Sequence, residues 1–140
     1  MTLLRRATRE DIPACAQIIA DWERETDYLP DGPGTDKLTE IINEAFDARE
    51  IWVAGDPIDG YMSVDPIKHK VGGLYLARRG AGLGKAFLDK AKEGRDHLWL
   101  TVFEPNSRAF SFYRREGFRL TSSLPASGGE PVVLRMEWER

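Results

Sequence analysis

The 140-residue chain has a single cysteine, Cys15, and two histidines, His69 and His97. One thiol excludes an internal disulfide. Its neighbours Ile12, Ile18, Ile19 and Trp22 recur at helical spacing, which reads Cys15 as a core thiol rather than a nucleophile. Neither histidine has a cysteine or carboxylate at metal-ligand spacing, and both sit beside turn signals, so no metal is expected. No apolar run approaches the ~20 residues that span a bilayer, and the opening segment MTLLRRATRED has no apolar signal-peptide stretch. The expectation is a cytoplasmic protein with no membrane association. A net charge of only −3, with the basic pairs Arg5-Arg6, Arg78-Arg79 and Arg114-Arg115 far apart, argues against binding nucleic acid.

What is present is an ordinary globular mixture, 41% apolar and 31% charged, at a length that suits one folding unit over residues 1–140. A strand from Thr2 to Ala7 leads into a helix from about Ile12 to Glu25, with Pro13 in its first turn and its apolar residues on one stripe. The Pro- and Gly-rich loop Tyr28 to Gly34 follows. Thr35 and Asp36 then cap a second helix carrying Leu38, Ile41, Ile42, Ala45 and Phe46. Ile51 to Ala54 and Tyr61 to Val64, joined by the turn Asp56 to Gly60, read as a hairpin. After the turn Pro66 to Lys70, Val71 to Leu76 is a strand whose glycines mark a bulge or a close backbone approach. Helices follow at Gly82 to Glu93, with Gly94 as C-cap, and at Ser107 to Glu116, with Gly117 at C′, around a buried strand Leu98 to Phe103. On the second of these helices Ala109, Phe110 and Tyr113 share a face. Strands at Phe118 to Thr121 and Pro131 to Trp138 close the chain around a polar loop, Ser122 to Glu130.

The sharpest local signal is a strand ending at Leu76, a turn over Arg78 to Gly82 and a helix opening near Gly82. That order aims several backbone N–H groups at one point, where an anion is the natural guest, and Arg78 and Arg79 add positive charge. Two nucleotide motifs fail here. A P-loop needs four residues between its glycines and a Ser or Thr after the Lys, whereas Gly80 and Gly84 enclose three and Ala86 follows Lys85. A dinucleotide fingerprint needs G-x-G-x-x-G and an acid about 20 residues on, whereas this chain has G-x-G-x-G and Leu100.

A second signal lies 22 residues past Gly84, where Asn106-Ser-Arg-Ala-Phe-Ser-Phe-Tyr113-Arg-Arg-Glu-Gly117-Phe118 follows an apolar strand. Arg79-Gly80-Ala81-Gly82-Leu83-Gly84 resembles the R/Q-x-x-G-x-G/A segment of the Gcn5-related N-acetyltransferases (GNAT). Asn106 to Phe118 resembles their N-x-x-A-x-x-x-Y-x-x-x-G-F segment. Both in this order and spacing form a specific combination, and the resemblance extends from Leu3 to the end. It implies an α/β (α+β) fold with a mixed, mostly antiparallel central sheet of about seven strands flanked by about four helices. It also implies acetyl-CoA as donor. The N–H groups of Arg79, Gly80, Ala81, Gly82, Leu83 and Gly84, with Lys85 beside them, would cradle its pyrophosphate, and the main chain of Leu74, Tyr75 and Leu76 would pair with the pantetheine arm. Asn106 would bond the pantetheine or hold its helix start, and Tyr113 would face the thioester sulfur. The connection from Leu76 to Gly82 is two residues shorter than the family's V-x-P-x-x-R-G-x-G.

Independently of the resemblance, a phenol of pKa about 10 is protonated at neutral pH and can donate to a leaving thiolate whose thiol has pKa about 8.5, which suits Tyr113 as a general acid. Family members often place a basic carboxylate on a central strand, but Val71 to Leu76 contains no acid, which leaves Glu104, Asp65 or a water. By analogy the acceptor would enter beside the loop between the first two helices. There Trp22, Glu23, Glu25, Asp27, Tyr28 and Asp31 suit a cationic small amine or a peptide N-terminus. The leading expectation is transfer of an acetyl group to a primary amine by direct attack in a ternary complex. The alternative is a non-catalytic acyl-CoA-binding sensor or partner module of the same fold. The last strand, with Met136 and Trp138, is expected to be exposed and available for pairing in a homodimer.

Overall fold

The apolar runs assemble into one seven-stranded sheet in the computed structural model, which describes residues 3–78 and 82–140. In chain order the elements are β1 (Leu4–Arg6), α1 (Ile12–Arg24), α2 (Thr35–Ala45), β2 (Glu50–Ala54), β3 (Gly60–Asp65), β4 (Lys70–Leu76), α3 (Leu83–Lys92), β5 (His97–Phe103), α4 (Ser107–Arg115), β6 (Arg119–Leu124) and β7 (Val133–Glu139). The spatial order is β1-β2-β3-β4-β5-β7-β6. Every neighbouring pair is antiparallel except β4 and β5, which run parallel and pair at a single position, Lys70 opposite Trp99. Past that point the two strands separate, and the sheet opens at its centre.

Alternation along the strands divides the interior in two. Ile51, Val53 and Tyr61 face α1 and α2, where they meet Cys15, Ile19, Leu38 and Ile42. Ala54, Met62 and Val64 face the other way, onto Phe87, Leu88 and Ala91 of α3 and Tyr113 of α4. The sheet is therefore a middle layer, with α1 and α2 on one face and α3 and α4 on the other. Cys15 is buried and its thiol pKa is pushed up to about 12, chiefly by desolvation, so it stays an inert core group. Ser63 faces Gly73 and Val64 faces Val71, which leaves Gly72 as the extra residue of a bulge, as the strand glycines lead one to expect.

Several expectations need correction. α2 is capped by Gly34, at φ 89°, not by Thr35 and Asp36, which lie inside its first turn. β6 extends to Leu124, three residues into the segment read as loop, because β7 offers it a partner strand. β7 is not exposed. It is hydrogen-bonded to β5 on one side and β6 on the other, so its backbone has no edge left for a second protomer. The outer strand on that side of the sheet is β6, all six residues of which are exposed.

Candidate active site

Where β4 and β5 part, a cleft of about 660 Å³ opens. Its walls are Leu74, Tyr75 and Leu76 at the end of β4, the start of α3 from Gly82 to Lys85, and one side of α4. Of the residues singled out from the sequence, Leu74, Tyr75, Leu76, Gly82, Leu83, Gly84, Lys85, Asn106 and Tyr113 all line it. Arg79, Gly80 and Ala81 lie outside the described residues.

The start of α3 opens onto this cleft with the backbone chemistry that suits an anion. Gly82 is the N-cap at φ 73°, a left-handed conformation in which glycine carries no steric penalty, and no side chain among the described residues caps the helix. The first amides of α3, from Leu83 to Lys85, thus face the cleft with the positive end of the helix dipole. Gly84 has a separate reason to lack a side chain: a Cβ there would approach the Phe112 ring to 2.9 Å, so this glycine lets α3 and α4 close on one another.

Four cationic side chains, Arg78, Lys85, Arg108 and Arg115, stand around the same opening. Arg78 Nε donates to Asp59 Oδ2 at 2.8 Å, and the Ala77 N–H donates to the Asp59 carbonyl at 2.8 Å. The β2–β3 turn thereby fixes the exit from β4 and orients Arg78. Lys85 lies 3.4 Å from Glu116 and 3.5 Å from Asp89. Arg108, Phe112 and Arg115 did not emerge from the sequence reading, although their spacing of i, i+4 and i+7 puts them on one side of α4.

Asn106 holds the helix start: its Oδ1 accepts the Ala109 N–H at 3.2 Å. Replacing it with alanine is expected to cost about 1 kcal/mol of stability in urea unfolding, with most of that retained in Asn106→Asp. An unchanged midpoint in the alanine variant would show that the cap is not stabilising.

Tyr113 is buried, wedged between Phe112 (ring centroids 5.3 Å apart) and Phe118 (5.8 Å, edge-on). Desolvation, with a smaller contribution from Tyr75, raises its pKa, so the phenol is protonated throughout the neutral range. Tyr75 stacks on Tyr61 (6.1 Å, 20°) and receives Trp22 edge-on (5.4 Å, 66°). Tyr113 and the α3 start belong to one face of the sheet, Trp22 and α1 to the other, and the gap beyond Lys70 and Trp99 joins them.

The two carboxylates considered as bases are elsewhere. Asp65 Oδ1 accepts the N–H groups of Ile67 and Lys68 at 3.0 and 3.1 Å, which holds its pKa below the ordinary range, and Arg49 pairs with its other oxygen. Glu104 is exposed, and neither residue lines the cleft.

No family model matches the chain. It is 26% identical to the peptidyl-lysine N-acetyltransferase YjaB of Salmonella typhimurium over 96% of this chain and 95% of that protein. Its fold is that of the ribosomal-protein-alanine N-acetyltransferase of Brucella melitensis, at TM-score 0.77, 22% identity and 99% coverage of both chains. It is equally that of yncA of Salmonella typhimurium, whose structure contains acetyl-CoA, at TM-score 0.75, 20% identity and 99% and 94% coverage. The split sheet, the helix start at Gly82 and the buried Tyr113 thus meet in one cleft, in a chain that has the fold of known acetyltransferases over nearly its whole length and is similar in sequence to peptidyl-lysine N-acetyltransferases.

Proposed function

We propose that the protein moves an acetyl group from acetyl-CoA to a primary amine of a small molecule or peptide by direct attack in a ternary complex. The observation that carries this reading is the single cleft joining both faces of the sheet. On one side stand an anion-receiving helix start and a protonated phenol, and on the other an aromatic wall.

The donor fits the first side. The N–H groups at the α3 start, with Arg78 and Lys85 beside them, would take the pyrophosphate, and the edge of β4 left unpaired by β5 would bond the pantetheine amides. Acetyl-CoA would supply the reactive thioester. The chain's own part is to hold it, exclude water and place the Tyr113 hydroxyl where negative charge develops on sulfur. Trp22 and Tyr75 would flank the acceptor, and aromatic faces attract cations and cover alkyl chains. A lysine side chain combines both, and the curated relatives named peptidyl-lysine N-acetyltransferases make it the first acceptor to test.

The test is CoA release from acetyl-CoA with lysine-containing peptides, polyamines and arylamines, alongside CoA binding by calorimetry. CoA binding with amine-dependent release is the expected outcome. Binding without release for every amine would favour a non-catalytic acyl-CoA-binding module instead.

A further inference from the structure

An ammonium acceptor must lose a proton before it attacks, and neither Asp65 nor Glu104 lies by the aromatic wall of the cleft to take it. Glu23 is not itself a lining residue, but it lies at the end of α1 directly after Trp22, which lines the cleft and meets Tyr75 edge-on, and it is near enough to Tyr75 for its charge to act on that phenol. Its Oε1 is completely enclosed, yet no donor among the described residues bonds to it. Enclosing a carboxylate oxygen without a partner costs free energy, so stability does not explain this placement.

The enclosure comes from the α1–α2 loop. A Cβ at Gly32 would come within 2.3 Å of Glu23 Oε1 and 2.6 Å of its Cδ, so the loop main chain lies directly against the carboxylate. The same loop reaches across the sheet opening, because Tyr28 meets Phe103, the last residue of β5, edge-on at 6.1 Å. Glu23 is therefore covered by a segment that bridges α1 to the far side of the β4–β5 gap. Desolvation raises its pKa, the direction that makes a carboxylate a better base, and its charge adds to burial in raising Tyr75.

We propose that the Glu23 carboxylate receives the ammonium of the acceptor under the α1–α2 loop and takes its first proton. This rests on the transferase reading above. The neutral amine then attacks the thioester carbonyl carbon; a C–N bond forms, the C–S bond breaks and its electron pair goes to sulfur. Two protons leave nitrogen in all. The first passes through Glu23 to water, and the second restores the phenol of Tyr113 after it has protonated the thiolate.

The experiment compares wild-type protein with Glu23→Gln, a near-isosteric change that removes charge and basicity while keeping packing. A group kept for function against stability gives a split result. Steady-state kcat/KM for the amine is expected to fall at least about tenfold. The Kd for CoA is expected to stay within about twofold, and Tm to hold or rise because a desolvated charge is gone. A smaller fall in kcat/KM would overturn the assignment. So would an equal fall accompanied by loss of CoA affinity or a lower Tm, which would mark Glu23 as structural. If the wild-type protein binds CoA but turns over no amine, the transferase reading falls and takes this assignment with it. If it turns over and the variant keeps pace, only the assignment of Glu23 falls.

Discussion

Replacing Tyr113 with phenylalanine is expected to lower kcat by about 10- to 100-fold while leaving the KM for acetyl-CoA nearly unchanged. The substitution deletes one oxygen and keeps the ring that packs against Phe112 and Phe118, so Tm should hold. No hydrogen bond to another described residue contributes to its raised pKa, which leaves the O–H free for a ligand in the cleft. Burial raises the phenol's pKa, but the same desolvation opposes a thiolate beside it. Donor and acceptor are therefore shifted in the same direction, and proton transfer to sulfur can accompany bond cleavage. A thiolate is already a fair leaving group, which is why the expected loss sits at the low end of general-acid effects. A change in kcat of less than about threefold would remove the acid role from Tyr113.

The second large effect is on the scaffold. Phe87→Ala is expected to cost about 3 to 5 kcal/mol, a large share of the ~5 to 15 kcal/mol by which a domain is stable. Phe87 has no exposed surface, and its neighbours have little freedom to collapse. At Gly60 the β3 backbone lies so close that a Cβ would approach both Phe87 Cε2 and Leu83 Cδ2 to 2.8 Å. Leu83 is the first residue of α3 and lines the cleft, so the ring that anchors the helix also aims its N-terminus. Urea unfolding measures the loss, and a cost under about 2 kcal/mol would mean that the site closes over the missing ring. CoA affinity should weaken together with stability, unlike in Tyr113→Phe, where the two separate.

The elements were legible because their signals are local. Helical spacing of apolar residues placed α1 within one residue of its observed end, and Gly117 after α4 stops the helix at φ 95° as a C′ glycine does. Asn106 and Tyr113, seven residues apart on one short helix, could be read together, and the structure brings both to the cleft. The failures concern partners distant in sequence. β7 lies between β5 and β6, its residues opposite β5 positions 30 or more back in the chain, such as Leu98 opposite Trp138, and no local pattern distinguishes that inner place from an edge. The acids Asp65 and Glu104 sit near strand ends, as a base might, but hydrogen bonds to the turn N–H groups occupy the first and exposure removes the second.

By itself the sequence determined the type and order of the elements and most of the residues that meet at the cleft, since periodicity, capping and short motifs are carried by residues close along the chain. Only the tertiary structure decided that β4 and β5 part after Lys70 and Trp99, that Asp59 holds Arg78, and that the Gly32 main chain covers an oxygen of Glu23 to which no described residue donates. Those features depend on distances between segments far apart in sequence, and on desolvation, which exists only once the chain has closed around a group.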